Sequence, residues 1–456
     1  MGGRSTSVQR HHRWRYRSLL QLIPRRTYPL IEAHVLNRRD VLKAALVAPI
    51  GVAAARPASA AAEPWEAVVA RGNVPSALVN FDTTMKKYMY ERGITAGQLA
   101  VARGGKLVFT RAYTLSTPAK PVPAVTPTSL FRIASLSKHI TATAILRLAQ
   151  EGRLNLGTPV TSLLDLKPMT GKKADARLSN VTIWRLLQHT GGWDREISDD
   201  PGTIEHKIAD ALGTGLPNDN ADMMTYMTSL PLDFTPGSRH AYCNYGYLLL
   251  GRVIEEVTGQ SYGSYVTSRL LTPLKITRMR LGRTLKAETP GEVPYESVFT
   301  TRTVLDESAK IVPYPYGGFN MANKDASGGW VATAMDLVRF ERVFDLPATT
   351  NLLDARSISR AFARPEWGTF PSGSWYGAGW YVRENNGGLN TWHSGGLAGT
   401  HTYLCRRYDG VAYAAFFNRR QETDSEPDFG DIDPLLYGVA NGITTWPSVD
   451  YSSLYF

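Results

Sequence analysis

Apolar and polar residues along this 456-residue chain follow two different periods, and together these predict a mixture of helices and strands. The helical period is clearest after residue 140, where one face carries Ile140, Ala144, Ile145, Leu148 and Ala149. A second amphipathic helix is predicted over residues 75–92. Alternation with a period of two at 98–102 and 106–110, around two central glycines, predicts a β-hairpin.

Strand patterns return late in the chain, at residues 378–382, 390–393, 400–406 and 411–417. The Pro/Thr-rich segment 113–130 predicts a loop. Residues 140 to about 290 predict mainly helix, interrupted by polar loops such as 196–222. Because the two strand-rich regions flank a helical middle, we expect a mixed α/β fold, in which one sheet carries helices on its faces and a helical insertion.

The net charge of +11 is concentrated at the N-terminus. Residues 1–60 hold eleven Arg or Lys and two Asp or Glu, which leaves a net charge of only +2 for the rest of the chain. A nucleic-acid-binding protein carries its basic surface on the fold itself, so we expect no nucleic-acid partner.

The same N-terminal segment predicts export. Arg38 and Arg39 precede the mostly apolar run 44–55 and the small residues Ala58–Ser59–Ala60, which is the order of a secretory signal. The arginine pair resembles the twin-arginine export signal, which implies the twin-arginine machinery as a partner of the precursor and a periplasmic or secreted location. A run of twelve residues is too short to span a bilayer, so no stable membrane anchor is expected.

Cysteine content excludes a disulfide framework. Only Cys243 and Cys405 are present, which allows one bridge, but two semi-buried thiols are the favoured interpretation.

The first candidate chemistry is Ser135 with Lys138, just before the helical apolar pattern that begins at Ile140. A three-residue spacing places the hydroxyl and the amine on one face, one turn apart. A serine hydroxyl is a poor nucleophile until a neighbouring base removes its proton, and a lysine can do so when burial favours its neutral form. On the pair alone, the favoured interpretation is a helix-start serine beside a solvent-exposed lysine.

Further motifs make the pattern specific. Tyr242–Cys243–Asn244 precedes an apolar helix, and His393–Ser394–Gly395 ends a predicted strand. With Ser135–Leu136–Ser137–Lys138 they stand in the order found in the serine β-lactamase and penicillin-binding group, and the chain resembles its class C β-lactamase-like branch over about residues 75–420. That branch includes D-alanyl-D-alanine carboxypeptidases, D-aminopeptidases and esterases.

The resemblance implies an architecture. It implies an antiparallel sheet flanked by helices plus an all-helical subdomain, within one catalytic domain over residues 61–456. The sheet subdomain would take about 75–125 and 325–456, and the helical subdomain about 130–320.

The resemblance also implies roles for the motif residues. Ser135 would be the nucleophile, Lys138 its base, and Tyr242 the relay that protonates the leaving group and activates water. Asn244 would hold Lys138 and the acyl amide of the substrate. The amides of Ser135 and Gly396, in the segment with Gly395, would form the oxyanion hole. No metal or cofactor is implied.

One position departs from the β-lactamase pattern. Those enzymes usually carry lysine where this chain has His393, and a neutral imidazole supplies no fixed cation for a substrate carboxylate. The departure makes Lys138 the favoured base. It favours small esters or D-amino-acid amides and peptides over β-lactams as substrates, with His393 in contact with them.

Two other segments resemble functional motifs. Gly259–Gln260–Ser261–Tyr262–Gly263 matches the nucleophile elbow of α/β-hydrolases, but that elbow needs a preceding strand and residues 248–257 predict a helix that stops at Gly259. His189 lies in a segment that is a structural loop in the resembling family, and no other ligand stands at metal-binding spacing.

Three functions therefore stand as hypotheses. The first is an exported serine hydrolase that forms an acyl-enzyme on Ser135 and cleaves small esters or D-amino-acid amides and peptides. Its alternative within the same class is a β-lactamase or D-alanyl-D-alanine carboxypeptidase that acts on cell-wall peptides. The second is a non-catalytic penicillin-binding-like protein that is acylated without turnover. The third is an α/β-hydrolase that uses Ser261.

Overall fold

The structure is a computed structural model that describes residues 63–456. These residues belong to one unit, which clusters over Pro57–Phe456. The export leader predicted for residues 1–60 lies outside the described residues.

The strands of the described chain fall into three sheets. In chain order they are β1 (Val69–Asn73), β2 (Ala96–Arg103), β3 (Lys106–Thr114), β4 (Phe131–Arg132), β5 (Arg280–Leu281), β6 (Thr300–Arg302), β7 (Ile311–Pro313), β8 (Trp330–Ala332), β9 (Trp375–Tyr376), β10 (Tyr381–Asn385), β11 (Gly388–Leu397), β12 (Thr400–Arg406) and β13 (Val411–Phe417).

The largest sheet has eight strands in the order β1-β3-β2-β13-β12-β11-β10-β9, and every neighbouring pair is antiparallel. The pairing of β2 with β13, from Gly97 opposite Phe417 to Arg103 opposite Val411, joins the early hairpin to the late strands. Small sheets form from β4, β8 and β5 and from β6 and β7. The predicted mixed α/β fold with an antiparallel sheet is thereby confirmed.

The helices lie mostly between the two strand-rich regions. They are α1 (Val79–Glu91), α2 (Ser137–Gln150), α3 (Ile183–Leu187), α4 (Glu205–Leu212), α5 (Asn220–Thr228), α6 (Asn244–Thr258), α7 (Tyr262–Val266), α8 (Asp325–Gly328), α9 (Ala334–Phe340), α10 (Ala355–Ala361) and α11 (Ile432–Gly442), with short 3-10 turns between them.

Both faces of the large sheet are buried, and the sequence of β2 shows how. Leu99 and Val101 belong to the core on the side of α1 and α11, whereas Ala100 and Ala102 belong to the core on the other side. Successive side chains of a strand point to opposite faces, so the small alanines allow helix α9 to pack closely against the sheet.

Several predicted elements are confirmed and others were wrong. The hairpin, the helix after residue 75, the strands 400–406 and 411–417 and the helix ending at Gly259 are present. The segment 196–222 is not only loop, because it contains α4, whose Ile208 and Ala209 are buried. The strand predicted at 378–382 begins only at Tyr381, and α11 was not predicted.

Two further expectations concern the whole described chain. Cys243 and Cys405 are free and buried, as the favoured interpretation held. Among residues 63–456, we find no helix that combines the length and the apolar character needed to cross a membrane.

Candidate active site

The predicted nucleophile lies in a tight turn at the entry to helix α2. Ser135 occupies a 3-10 turn (Ala134–Leu136) that runs directly into α2, and it is partly exposed. The residue before it, Ala134, has a φ of 48°, a left-handed conformation that is unfavourable for a residue with a Cβ. Strain of this kind persists where surrounding packing fixes the chain, and it is typical of functional sites.

The side chain of Lys138 is completely buried one turn after Ser135. Its Nζ lies 3.1 Å from Ser135 Oγ, 2.7 Å from Asn244 Oδ1 and 2.7 Å from the carbonyl oxygen of Ser327. Burial holds the pKa of Lys138 well below its usual value, against the opposing effect of Asp200. The structure therefore brings a neutralisable amine into contact with a hydroxyl.

The hydroxyl of Tyr242 donates a hydrogen bond to Ser135 Oγ over 2.8 Å. Burial raises the pKa of Tyr242, and its hydrogen bond with Ser135 opposes this only in part. The phenol therefore stays protonated at neutral pH, ready to donate a proton rather than to accept one.

Asn244 is the first residue of helix α6, which brings it back to the start of α2. Its Oδ1 accepts from Lys138, and its Nδ2 donates to a carboxylate oxygen of Asp200. Asp200 in turn accepts from the backbone N–H of Gly202 over 3.0 Å. The amide thus links the lysine to a carboxylate at the edge of the site.

Strand β11 passes directly beside the nucleophile turn, and its glycines allow this approach. A Cβ on Gly395 would lie 2.5 Å from the carbonyl oxygen of Ile133 and would also collide with Thr402 Oγ1. A Cβ on Gly396 would meet nothing within 4 Å, and Gly396 lines the cavity beside Ser135. Pairing with β10 stops at Trp392, so among the described strands residues 393–397 pair with β12 alone. Their other edge faces the 3-10 turn that carries Ser135.

The side chain of His393 is buried and does not line the cavity beside Ser135. It is 2% exposed, and its Nδ1 lies 2.6 Å from the carbonyl oxygen of Ser394, so Nδ1 carries the proton and Nε2 accepts from the Tyr376 hydroxyl at 3.0 Å. Burial, reinforced by Lys138, lowers the pKa of His393 to about 3. A neutral imidazole here agrees with the sequence argument. Direct substrate contact by His393 stays a prediction, and the ring centroids of His393 and Tyr242 lie 6.2 Å apart.

A cavity of about 50 Å³ opens beside Ser135. Its wall is mixed in character and includes Asp200, Gly202, Met223, Asn244, Leu248, Asn323, Lys324, Ser327 and Gly396.

Sequence reasoning missed three polar residues of this site. Asp200 and Lys324 lie in segments without a motif, and acidic or basic residues in loops are too common to single out. Ser327 directly precedes the glycine pair Gly328–Gly329, which is a local signal of close backbone approach. Its carbonyl oxygen, not its side chain, contacts Lys138.

Of the two other segments that resemble functional motifs, the one at Ser261 lies apart from this chemistry and the one at His189 lies beside it. Ser261 caps the start of α7, where its hydroxyl contacts Ser264, and it follows a helix rather than a strand. His189 is buried beside Tyr242, which the argument from sequence did not anticipate. Within the described residues, no three His, Cys, Asp or Glu side chains come together as metal ligands.

Comparison with protein families gives a match over most of the chain. The family model described as "Beta-lactamase" matches residues 81–433. Among curated proteins, the protein flp of Staphylococcus aureus (strain COL) is 27% identical over 323 residues, which are 71% of this chain and 59% of that protein. The chain therefore spans about three fifths of the length of protein flp.

Further relatives are similar in sequence or in fold. Penicillin-binding protein 4 of Amycolatopsis lactamdurans is 29% identical over 62% of this chain and 70% of that protein. The solved structure of D-amino acid amidase from Ochrobactrum anthropi SV3, complexed with L-phenylalanine amide, superposes with a TM-score of 0.60. It covers 80% of this chain and 97% of the amidase at 21% identity, which supports the fold alone.

Proposed function

Because the chain belongs to the Beta-lactamase family, we propose that it is a serine hydrolase that forms an acyl-enzyme on Ser135. One observation carries the proposal: the Oγ of Ser135 lies within hydrogen-bond distance of both the buried amine of Lys138 and the hydroxyl of Tyr242. A nucleophile in contact with a base and an acid is the arrangement that acyl transfer needs.

The hydrogen bonds of Lys138 support its role as the base. A neutral amine has two N–H donors and one lone pair, and two acceptors at 2.7 Å, on Asn244 and Ser327, match the two donors. The lone pair then faces Ser135, whose hydroxyl donates to it. In this state Ser135 also accepts the hydrogen bond from Tyr242, so one protonation pattern satisfies every group.

The proposed reaction has two halves. Ser135 Oγ bonds to the carbonyl carbon of the substrate while its proton passes to Lys138 Nζ. The bond to the leaving group breaks as Tyr242 gives that group a proton and regains one from Lys138. Water then attacks the acyl carbonyl carbon and loses a proton to the same pair. The bond from this carbon to Ser135 Oγ breaks as the pair returns the proton to Oγ, which releases the acid and restores the serine. The amides of Ser135 and Gly396 are proposed to stabilise the oxyanion in both halves.

The polar wall of the cavity supports a substrate class. Asp200 lies next to Asn244, on the side proposed to hold the acyl part of the substrate. A carboxylate there favours an acyl group that carries an ammonium. We therefore propose D-amino-acid amides and short D-amino-acid peptides, with small esters as further substrates.

The catalytic proposal is tested by turnover of p-nitrophenyl acetate. Sustained release of p-nitrophenol supports a hydrolase. Release of one equivalent of p-nitrophenol that then stops favours the non-catalytic penicillin-binding-like protein, which would be acylated without deacylation. No release, together with no labelling by a fluorophosphonate probe, would contradict both.

The substrate class is tested with D-alaninamide and its N-acetyl derivative. We expect the free amine to be hydrolysed faster, and Asp200→Asn to remove this preference while ester turnover persists. Equal rates for the two amides in the unaltered protein would contradict an ammonium site at Asp200. A panel that includes nitrocefin and D-alanyl-D-alanine peptides would test the β-lactamase and carboxypeptidase variants.

Export through the twin-arginine route remains our proposal for residues 1–60. We expect a mature N-terminus at Ala61 or within a few residues of it. Replacement of Arg38 and Arg39 by lysine should leave the precursor in the cytoplasm, and unchanged secretion of that variant would contradict the route.

A further inference from the structure

His189 accepts hydrogen bonds from the backbone on both sides of Tyr242. Its backbone carbonyl oxygen accepts the N–H of Ala241 over 2.9 Å, and its ring Nδ1 accepts the N–H of Cys243 over 3.2 Å. These two donors flank Tyr242 in the chain. One residue therefore fixes the backbone immediately before and immediately after the tyrosine.

The ring of His189 also supports the phenol itself. The centroids of His189 and Tyr242 lie 4.3 Å apart, and His189 is 1% exposed. The backbone of His189 has a φ of 58°, a left-handed conformation that turns its carbonyl and its side chain toward the same segment. A non-glycine residue held in this conformation indicates a fixed local arrangement.

The protonation state of His189 suits this function. Burial, with the nearby His240 and Lys138, holds the pKa of His189 well below its usual value. A neutral ring keeps the Nδ1 lone pair free for the Cys243 N–H and places the proton on Nε2. Protonation of Nδ1 would break that hydrogen bond.

We propose that His189 is a positioning residue that sets the distance between the Tyr242 hydroxyl and Ser135 Oγ through its two hydrogen bonds to the flanking backbone. The proposal rests on the proposed function, since it assigns His189 to the proton relay at Ser135. His189 does not contact the nucleophile and takes no proton in the reaction.

The experiment compares four variants with the unaltered protein, using p-nitrophenyl acetate. In His189→Leu the Nδ1 acceptor is lost, in His189→Asn the amide oxygen can replace Nδ1, and in His189→Gln the oxygen lies at the position of Nε2. A displacement of about 1 Å can cost about 10²-fold in rate, so we expect kcat to fall about 10- to 100-fold in the Leu and Gln variants. We expect KM to change little and His189→Asn to recover most of kcat.

The fourth variant controls for stability. Val108→Ala removes buried atoms on the opposite side of the large sheet, and we expect a lower Tm with unchanged kcat. Full kcat in His189→Leu, or equal kcat in the Asn and Gln variants, would overturn the proposal. If His189→Leu does not fold, the comparison between Asn and Gln decides.

Failure of this inference and failure of the proposed function give different results. Turnover that persists in Ser135→Ala would contradict the proposed function. Loss of turnover in Ser135→Ala, together with full kcat in the His189 variants, would contradict only the role of His189.

Discussion

Lys138 and Ser135 face each other one turn apart at the start of α2, with Nζ 3.1 Å from Oγ and the lysine side chain fully buried. Burial favours the neutral amine, and among the side chains of residues 63–456 this amine is the group in contact with Ser135 Oγ that can accept its proton while Tyr242 stays protonated. This relationship determines how activity should depend on pH.

We expect kcat/KM to fall as pH decreases through the lowered pKa of Lys138. Below that pKa the amine holds a third proton and has no lone pair for Ser135, whereas above it the base is available. The measurement is a pH profile of p-nitrophenyl acetate hydrolysis. Lys138→Met should lose about 10²- to 10⁴-fold in kcat/KM, the usual contribution of a general base. If the activity of Lys138→Met fell at low pH in the same way as that of the unaltered protein, Lys138 would not be the base.

Covalent labelling should identify the nucleophile. We expect a fluorophosphonate to label the unaltered protein at Ser135, and Ser135→Ala to abolish labelling without changing the circular dichroism spectrum. Ser261→Ala is the matched control, because Ser261 is an exposed helix cap and its loss should leave labelling unchanged. Labelling that persists in Ser135→Ala and disappears in Ser261→Ala would reverse the assignment.

Neighbouring glycines of β11 should respond differently to alanine. A Cβ at position 395 collides with the backbone of Ile133 and with Thr402, so Gly395→Ala should lower the free energy of unfolding by about 1–3 kcal/mol. Position 396 is open, so Gly396→Ala should keep its Tm and lose activity because the methyl group enters the cavity beside Ser135. Thermal unfolding and ester turnover check both. A Gly395→Ala variant with unchanged Tm would contradict the close approach.

A buried carboxyl behind α2 should make stability depend on pH. The Oε1 atom of Glu341 lies 3.4 Å from Nε2 of His139, and both side chains are buried. Burial raises the pKa of Glu341 well above its usual value and lowers the pKa of His139 to about 3, so both groups are neutral in the folded protein. Arg406 and Asp345 are the other charges that act on Glu341.

The direction in which stability changes with pH follows from the raised pKa of Glu341. Above about pH 4.5 the unfolded carboxyl loses its proton while the folded one keeps it, so this stabilisation is present at lower pH and decreases as pH rises. Glu341→Gln removes the titration, and we expect its Tm relative to the unaltered protein to increase between pH 5 and pH 8. The contribution of His139 is common to both proteins and cancels. A constant Tm difference over this range would contradict the neutral carboxyl.

Arg195 should influence the choice of leaving group. Its guanidinium lies 5.0 Å from the ring centroid of Tyr242, and its side chain is 42% exposed, so it places a cation near Tyr242. An exposed ion pair contributes about 0.2–1 kcal/mol, so Arg195→Gln should reduce kcat/KM for D-alanyl-D-alanine up to about fivefold relative to D-alaninamide. Arg239→Gln is the control, because Arg239 pairs with Asp194 at 2.8 Å, whereas the ion pair of Arg195 with Glu196 is longer, at 3.4 Å. Equal losses for both substrates would contradict a carboxylate contact.

The amino-acid sequence by itself determined the local elements and the chemical inventory. The period of apolar residues was sufficient to predict α2 and the strands β12 and β13, because each buries a face that its own residues define. The order of Ser135, Tyr242 and His393 along the chain was sufficient to predict the family. The predictions for α4 and for the start of β10 were wrong, because each apolar pattern is short and lies among polar surface residues or bends.

Only the tertiary structure decided which of these residues meet. Asp200 has no local signal, yet its loop lies against Asn244, which comes 44 residues later. His393 and His189 are both histidines near glycines in the sequence, but one accepts a hydrogen bond from Tyr376 and the other accepts one from the backbone beside Tyr242. The physical reason is that side-chain direction, burial and pKa depend on contacts between distant segments, and a local pattern records none of these.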